Sequence, residues 1–569
     1  MASRIFDTLS DAQRRVVFEK EGMFAVRACP GSGKTYSVAA RLAHKIETWK
    51  LRNQGIASIS FTNAAWQEIE KQVTSHFRIQ KPIPYPHFLG TIDSFINRFI
   101  FLPFGHLVMG CTSRPILVGE PHGTWTGRSF SESFFDNLSY DVKGNLCPLN
   151  KSIMPPRWET NKYIRMAKSR LIRAGYANQD DSNYFGMKIL ETYPGISKAL
   201  VSRFPMLMMD EAQDTSEIQM RIIDNLIENG LNEVLLVGDP DQAIFEWHDA
   251  KPKLFIKKFE QWAENSIVLN ENRRSSQKIC NCTCRLSSLD KPSIAINCDV
   301  KDCDVTPMVV TYDIEKIHKT IDDFLGYCRK MEIDINPKDV AVVFRSRSIF
   351  NIITGVKNIS SKELPWEDDN LCCRDLAKGK YLCDRGEFRR GHKLIEKAIY
   401  KITNNTNYCS DWDIEKMIEE VGFIEFREYV YELISMFGKT ECCIGEWVED
   451  ANNNLAQRGI GLKLSIKKKC GTSNFDEIFG LDNKHVFEKD FTLGTVHSIK
   501  GKTFEAVLMV LKKKGIGSYY RTLLANNARI EENEELRNVY VGITRPRRLL
   551  VLAVPDDDDK TAWESQLFR

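Results

Sequence analysis

The eight residues Ala28-Cys-Pro-Gly-Ser-Gly-Lys34-Thr35 constrain this chain more than any other stretch. A short apolar segment, Phe24–Val26, leads into them. Beyond Lys34, the apolar residues Val38, Leu42 and Ile46 recur every four positions, as in a helix with one buried face. Strand, glycine loop and helix in that order form the context in which such a loop cradles phosphate. Backbone N–H groups and the helix N-terminus face the anion, Lys34 adds a point charge, and the Thr35 hydroxyl can ligate magnesium. Ala28 stands where the usual pattern has its first glycine, and a small residue fits there. The fold class this predicts is α/β.

Arg203 to Ala250 organises the rest. Two apolar runs, Met206–Met209 and Val234–Val237, end in acidic or glycine-rich polar residues, which reads as buried parallel strands. Open α/β sheets bind ligands at the carboxyl ends of their strands. Asp210 and Glu211 are expected to face a nucleotide there, one holding a metal and the other polarising a water. The second run brings Asp239 and Gln242 to the same crevice.

With 569 residues the chain is long enough for two to four domains. Its 43% hydrophobic and 27% charged content is that of a globular protein, and a net charge of only +3 leaves any nucleic-acid binding to local grooves. There is no apolar run of membrane-spanning length and no apolar signal segment at Met1–Arg15, so a cytoplasmic protein with no membrane contact is expected. Sixteen cysteines in a reducing compartment argue against a disulfide framework. Cys280, Cys282 and Cys284 have the wrong spacing for a zinc knuckle. With Cys298 and Cys303 downstream, and Cys372, Cys373 and Cys383, they read as buried reduced thiols.

Further strand-and-turn units follow the loop: Phe61-Thr62-Asn63 at one turn and Gly90–Phe95 at another. Residues 101–186 are irregular apart from a basic helix candidate, Lys162–Gly175, whose charge suits either a solvated face or a DNA backbone. Residues 354–487 read as helical and polar, with basic clusters at Arg385–Lys393 and Lys467–Lys469. Strand patterns return at Phe491–Val510 and Leu549–Val554. The acidic run Asp556–Asp559 reads as a solvated tail. No internal repeat of 20–50 residues is visible, and no acidic-lysine cluster suggests a nuclease within the chain.

These motifs, in this order, make the chain resemble the superfamily 1A DNA helicases of the UvrD/Rep/PcrA type over essentially its whole length. The resemblance rests on Gln13, Ala28–Thr35, Phe61–Ala65, Gly90–Phe95, Asp210–Asp214, Gly238–Trp247, Asn272–Ser275, Thr495–Val507 and Tyr540–Arg545. It implies two RecA-like P-loop NTPase domains, each with a mainly helical insertion. The first would span 1–100 and 187–270 around insertion 101–186, and the second 271–350 and 488–569 around insertion 351–487.

The resemblance also implies roles. Gln13 would read adenine. Pro30, Gly31, Ser32, Gly33, Lys34 and Thr35 would hold ATP, with Thr35 and Asp210 on Mg2+ and Glu211 orienting the attacking water. Gln242 would sense the γ-phosphate, and Arg274 and Arg545 would close on it from the second domain. Phe61, Thr62, Asn63, Phe245, Trp247, Thr495 and His497 would contact single-stranded or end-bearing DNA. Three positions depart from the family: Asp93 and His248 replace a histidine and an arginine, and Thr503 replaces the glutamate that touches the nucleotide sugar. The texture around Asp210 and Lys500–Val507 further resembles the helicase-like subunit of Gabija anti-phage systems (GajB). That implies an OLD/TOPRIM-type partner nuclease (GajA-like) and a DNA-sensing ATPase with little processive unwinding.

Overall fold

The computed structural model describes all residues except 1–5, 7, 80, 120–136, 149–161, 245–249, 346, 355–370, 405, 407, 408, 410, 460, 468–470, 480–485, 489, 513–518, 527 and 569. Two six-stranded sheets carry the fold. The first contains β1 (Met23–Ala28), β2 (Ile56–Ser60), β3 (Phe88–Thr91), β4 (Met206–Met209), β5 (Glu233–Gly238) and β6 (Ile267–Leu269). Its order is β6-β1-β5-β4-β2-β3, and every pairing is parallel.

β4 and β5 are buried almost throughout, as a strand covered on both faces requires. Their unbroken apolar runs follow from that burial. Complete burial of an aromatic such as Phe24 contributes about 1.5–3 kcal/mol. Helix α1 (Lys34–Thr48) starts directly after the glycine loop and packs Val38 and Leu42 against β1, β4 and β5 residues. Helices α2 (Asn63–Lys71) and α3 (Ile92–Ile96) follow β2 and β3.

The stretch between β3 and β4 includes α4 (Lys162–Arg173) and α5 (Gln179–Thr192), and α6 (Glu217–Glu228) follows β4. α4 is not wholly solvated. Lys168 is fully buried, 2.6 Å from the equally buried Asp181, and it also donates to the Leu138 carbonyl at 2.9 Å. Arg165, Arg170 and Arg173 remain exposed. Asp93 accepts from Asn183 Nδ2 (3.1 Å) and Gln219 Nε2 (2.9 Å), tying α3 to α5 and α6.

The second sheet is built from β7 (Met308–Thr311), β8 (Val340–Phe344), β9 (Val486–Glu488), β10 (Thr492–Thr495), β11 (Phe504–Val510) and β12 (Pro546–Val554), in the order β7-β12-β11-β8-β10-β9. Within this sheet, among the described residues, only the β9–β10 pair is antiparallel. Between β8 and β9 the chain is largely helical, with its own core around Trp447, Phe426 and Ile395.

Helix α7 (Gln277–Cys284) precedes β7, and α8 (Val496–Ile499), α9 (Glu534–Ile543) and α10 (Asp557–Phe568) complete this half. The acidic run is not a tail. Asp557, Asp558 and Asp559 form the first turn of α10, where carboxylates complement the helix dipole. Asp559 is buried, with Arg521 Nε 3.0 Å away. Of the cysteines read as buried thiols, Cys280, Cys282, Cys373 and Cys383 are buried, but Cys298 is exposed, and Cys284, Cys303 and Cys372 are only half-buried. No described helix is long and apolar enough to cross a membrane.

Candidate active site

The parallel order β1-β5-β4 sets three strand ends side by side, so the glycine loop, Asp239 and Asp210 converge for topological reasons. The loop bends through Gly31 (φ +76°) and Gly33 (φ +78°) before α1 begins. A Cβ at Gly31 would lie 2.6 Å from Asn272 Oδ1 and 2.8 Å from Arg274 Cβ, so the glycine permits a close approach of the second half. Ser32 Oγ is buried without a hydrogen-bond partner among the described residues, the condition of a loop shaped for an external acceptor. Pro30 and Cys29 line a small cavity with Asn272 and Tyr540.

Thr35 Oγ1 donates to Asp210 Oδ2 at 2.9 Å, and Lys34 Nζ lies 3.8 Å from Glu211 Oε2. A hydroxyl and a carboxylate at this spacing are hard oxygen donors of the kind magnesium takes when phosphates and waters complete its shell, so the residues fit that ion. Glu211 has a left-handed backbone (φ +56°), which costs of order 1–3 kcal/mol for a non-glycine residue.

Burial raises Asp210, reinforced by the neighbouring Glu211 charge. For Glu211, burial acts in the same direction, but Lys34, Lys500 and the Gln213 amide outweigh it and hold the carboxylate low. Lys34 is raised: burial works against it, and Glu211, Asp239 and Asp210 more than offset that. Asp239 is pushed up to about 6, mainly by burial.

Contacts from the second half complete the cleft. Arg545 Nη2 donates to Gln242 Oε1 at 2.6 Å, while Gln242 Nε2 donates to Asp239 Oδ2. Burial brings Arg545 down to about 10. Arg274 Nε donates to Thr503 Oγ1 at 2.9 Å, and its Nη1 donates to the Thr544 carbonyl at 3.0 Å. Gln13 is almost fully buried and donates to the Ser32 carbonyl (3.2 Å) while accepting from Arg273 Nη2 (3.0 Å). The Arg273 N–H donates to the Gly31 carbonyl at 2.8 Å. The adenine-reading candidate therefore also braces the glycine loop.

Sequence reasoning missed several links. Lys500 Nζ meets Asp214 Oδ2 at 2.6 Å. Gln213 Nε2 donates to Asp214 (3.3 Å) and to Glu211, and Gln213 Oε1 accepts from the Asp239 N–H (3.0 Å). A chain of polar contacts therefore runs from the second half to Glu211. The fully buried Arg537 donates from Nε to the Ala243 carbonyl at 2.6 Å. Lys500, Asp214 and Arg537 sit inside or beside the recognised motifs, but only folding pairs them.

Among the DNA candidates, Thr62 caps α2 (Ala65 N–H to Oγ1, 3.2 Å), and Asn63 Oδ1 accepts from Trp66 Nε1 at 3.0 Å. Phe61 is half-buried. Thr495 caps α8, and His497 Nε2 lies 3.0 Å from the Ile244 carbonyl. Phe245, Trp247 and His248 lie outside the described residues. Thr91 and Ser94 after β3 repeat the cap made by Thr495 and Ser498 after β10.

Residues 9–108 and 143–263 match the UvrD/REP helicase N-terminal domain. The chain is 22% identical to a probable DNA helicase II homolog of Mycoplasma capricolum, covering 99% of this chain and 86% of that protein. It is 25% identical to the DNA helicase II of Haemophilus influenzae, covering 97% and 84%. It is 23% identical to the putative ATP-dependent DNA helicase YjcD of Bacillus subtilis, covering 98% and 80%. The domain match takes in the first five strands of the first sheet, and the likeness to these helicases runs through both sheets.

Proposed function

We propose that this chain hydrolyses ATP in the cleft between the two sheets and couples the cycle to movement along single-stranded DNA. The observation that carries this reading is that Lys34, Thr35, Asp210 and Glu211 cluster at the strand ends of one sheet while Arg545 of the other half reaches Gln242 there and Arg274 sits against Gly31. In this reading the glycine loop and Lys34 bind the phosphates, and Thr35 and Asp210 hold the metal. Bound Mg2+ would neutralise charge on the phosphate oxygens. Glu211, held ionised by its cationic neighbours, orients the attacking water. Arg545 and Arg274 stabilise charge that develops on the γ-phosphate.

Because both arginines come from the second half, ATP favours a closed cleft and product release favours an open one. Phe61, with the aromatic pair Phe245 and Trp247, would stack on bases without reading sequence. Thr62, Asn63, Thr495 and His497 would line the same path. The domain limits 1–100 with 187–270 and 271–350 with 488–569 would then mark the two moving parts.

The test is steady-state ATP hydrolysis with and without single-stranded DNA, using Glu211→Gln as the blank. DNA stimulation abolished by Glu211→Gln supports the reading; hydrolysis that persists in that variant overturns it. Stimulated hydrolysis without strand separation, together with binding to an OLD/TOPRIM-type nuclease, would place the chain with DNA-sensing ATPase subunits of the Gabija kind.

A further inference from the structure

Arg274 receives no carboxylate among the described residues. Its two guanidinium hydrogen bonds go to neutral acceptors, the Thr503 hydroxyl and the Thr544 carbonyl. Its backbone is fixed as well: Asn272 Oδ1 accepts from the N–H groups of Arg274 (2.8 Å) and Ser275 (2.9 Å). The neighbouring cation, Arg545, is engaged with Gln242 Oε1, the Val541 carbonyl and Thr544 Oγ1. Arg274 is thus pinned at both ends while most of its five N–H donors remain available to an incoming anion.

The chemistry of the acceptor matters. A hydroxyl orients a guanidinium and leaves its charge intact, whereas a carboxylate in the same place would form an ion pair and neutralise it. Burial and the Arg545 charge both press against a cation at Arg274, a cost that a phosphate would relieve. Thr503 also follows closely on Lys500, which contacts Asp214, so one short segment before β11 serves both sides of the cleft.

We propose that Thr503 is a positioning residue whose neutral hydroxyl aims Arg274 at the phosphate chain while leaving the arginine's charge free, and so sets how strongly the cleft separates a nucleoside triphosphate from a diphosphate. The proposal rests on the reading of the cleft as an ATP site. Thr503 acts only through Arg274.

The experiment uses the full chain and measures binding of ADP and of a non-hydrolysable ATP analogue, with steady-state hydrolysis alongside. Thr503→Val keeps the shape and removes the acceptor, Thr503→Ser keeps the acceptor, and Thr503→Glu supplies the carboxylate. Thr503→Glu is expected to reduce the triphosphate-over-diphosphate preference about tenfold or more while ADP binding holds, the scale of losing one charge-assisted contact. Thr503→Val is expected to lower kcat about fivefold with little change in KM, and Thr503→Ser to restore it, as one hydrogen bond to a charged group would require.

A merely structural role would move ADP and triphosphate together. An unchanged preference in Thr503→Glu, or Val and Ser variants that behave alike, overturns the proposal. Should Thr503→Glu fail to fold, the Val and Ser pair decides. Lys34→Ala separates the two layers of argument. If it leaves nucleotide binding intact, the ATP-site reading fails. If it abolishes binding and the Thr503 variants change nothing, only the present inference falls.

Discussion

Lys500→Met probes the contact by which one half of the molecule acts on the other. Lys500 Nζ lies 2.6 Å from Asp214 Oδ2, with side chains 12% and 1% exposed. Burial pushes Asp214 up to about 6 even with Lys500 opposing it. Without the lysine, Asp214 must either stay charged and unpaired or take up a proton. Breaking a buried pair from one side costs about 3–5 kcal/mol, far more than the pair is worth against an apolar replacement. The contact joins the two halves, so the cost falls on closure of the cleft more than on the folding of either half.

At about 3 kcal/mol, the closed population and the turnover that depends on it fall by about two orders of magnitude. Glu211 loses a cation as well, since Lys500 is among those that hold it low. The sign with pH follows. A carboxylate raised in the closed state binds its proton more tightly there, so closure of the variant is best at low pH and weakens as pH rises through the raised value. The assay is DNA-stimulated ATP hydrolysis across the neutral range, with thermal melting as the folding control. Adding Asp214→Leu to Lys500→Met should recover part of the rate, because the orphaned charge is gone. Turnover within about threefold of the parent chain would refute the coupling argument, as would a loss matched by an equal loss of melting stability.

Glu211→Gln should retain nucleotide yet turn over about a thousandfold more slowly, read by trapped label on the protein after gel filtration. Lys168→Met should destabilise the region around α4 by about 3–5 kcal/mol, because Asp181 stays buried without its cation. Burial already raises Asp181 against the pull of Lys168. The deficit should therefore shrink in acid, where Asp181 is protonated, and grow as pH rises through its raised value; denaturant melts at two pH values check this. Gly31→Ala should impair closure, since its methyl would sit 2.6 Å from Asn272 Oδ1 and φ +76° disfavours alanine. Weaker binding of a non-hydrolysable ATP analogue is the expected readout, and parent-like affinity would show that the loop can yield.

The sequence alone determined the α/β class, because strand, glycine loop and helix at Phe24–Ile46 admit few other folds. It also placed Lys34, Thr35, Asp210 and Glu211 together, because residues at the carboxyl ends of adjacent parallel strands share one edge. It marked Arg274 and Arg545 by motif, without the partners each would take. Local pattern could not decide the pairing of Lys500 with Asp214, of Arg274 with Thr503, or of Arg537 with the Ala243 carbonyl, since nothing in chain order links such distant positions. The acidic run at Asp556–Asp559 and the basic stretch containing Lys168 misled for a related reason. A charge run reads as solvated until tertiary structure sets a buried partner against one of its members, as Arg521 meets Asp559 and Asp181 meets Lys168. Periodicity and motif report which face of a segment is buried or bears chemistry. Which charge meets which is settled only when segments distant in the chain pack together, because a desolvated ion is tolerated only where the opposite sign arrives with it.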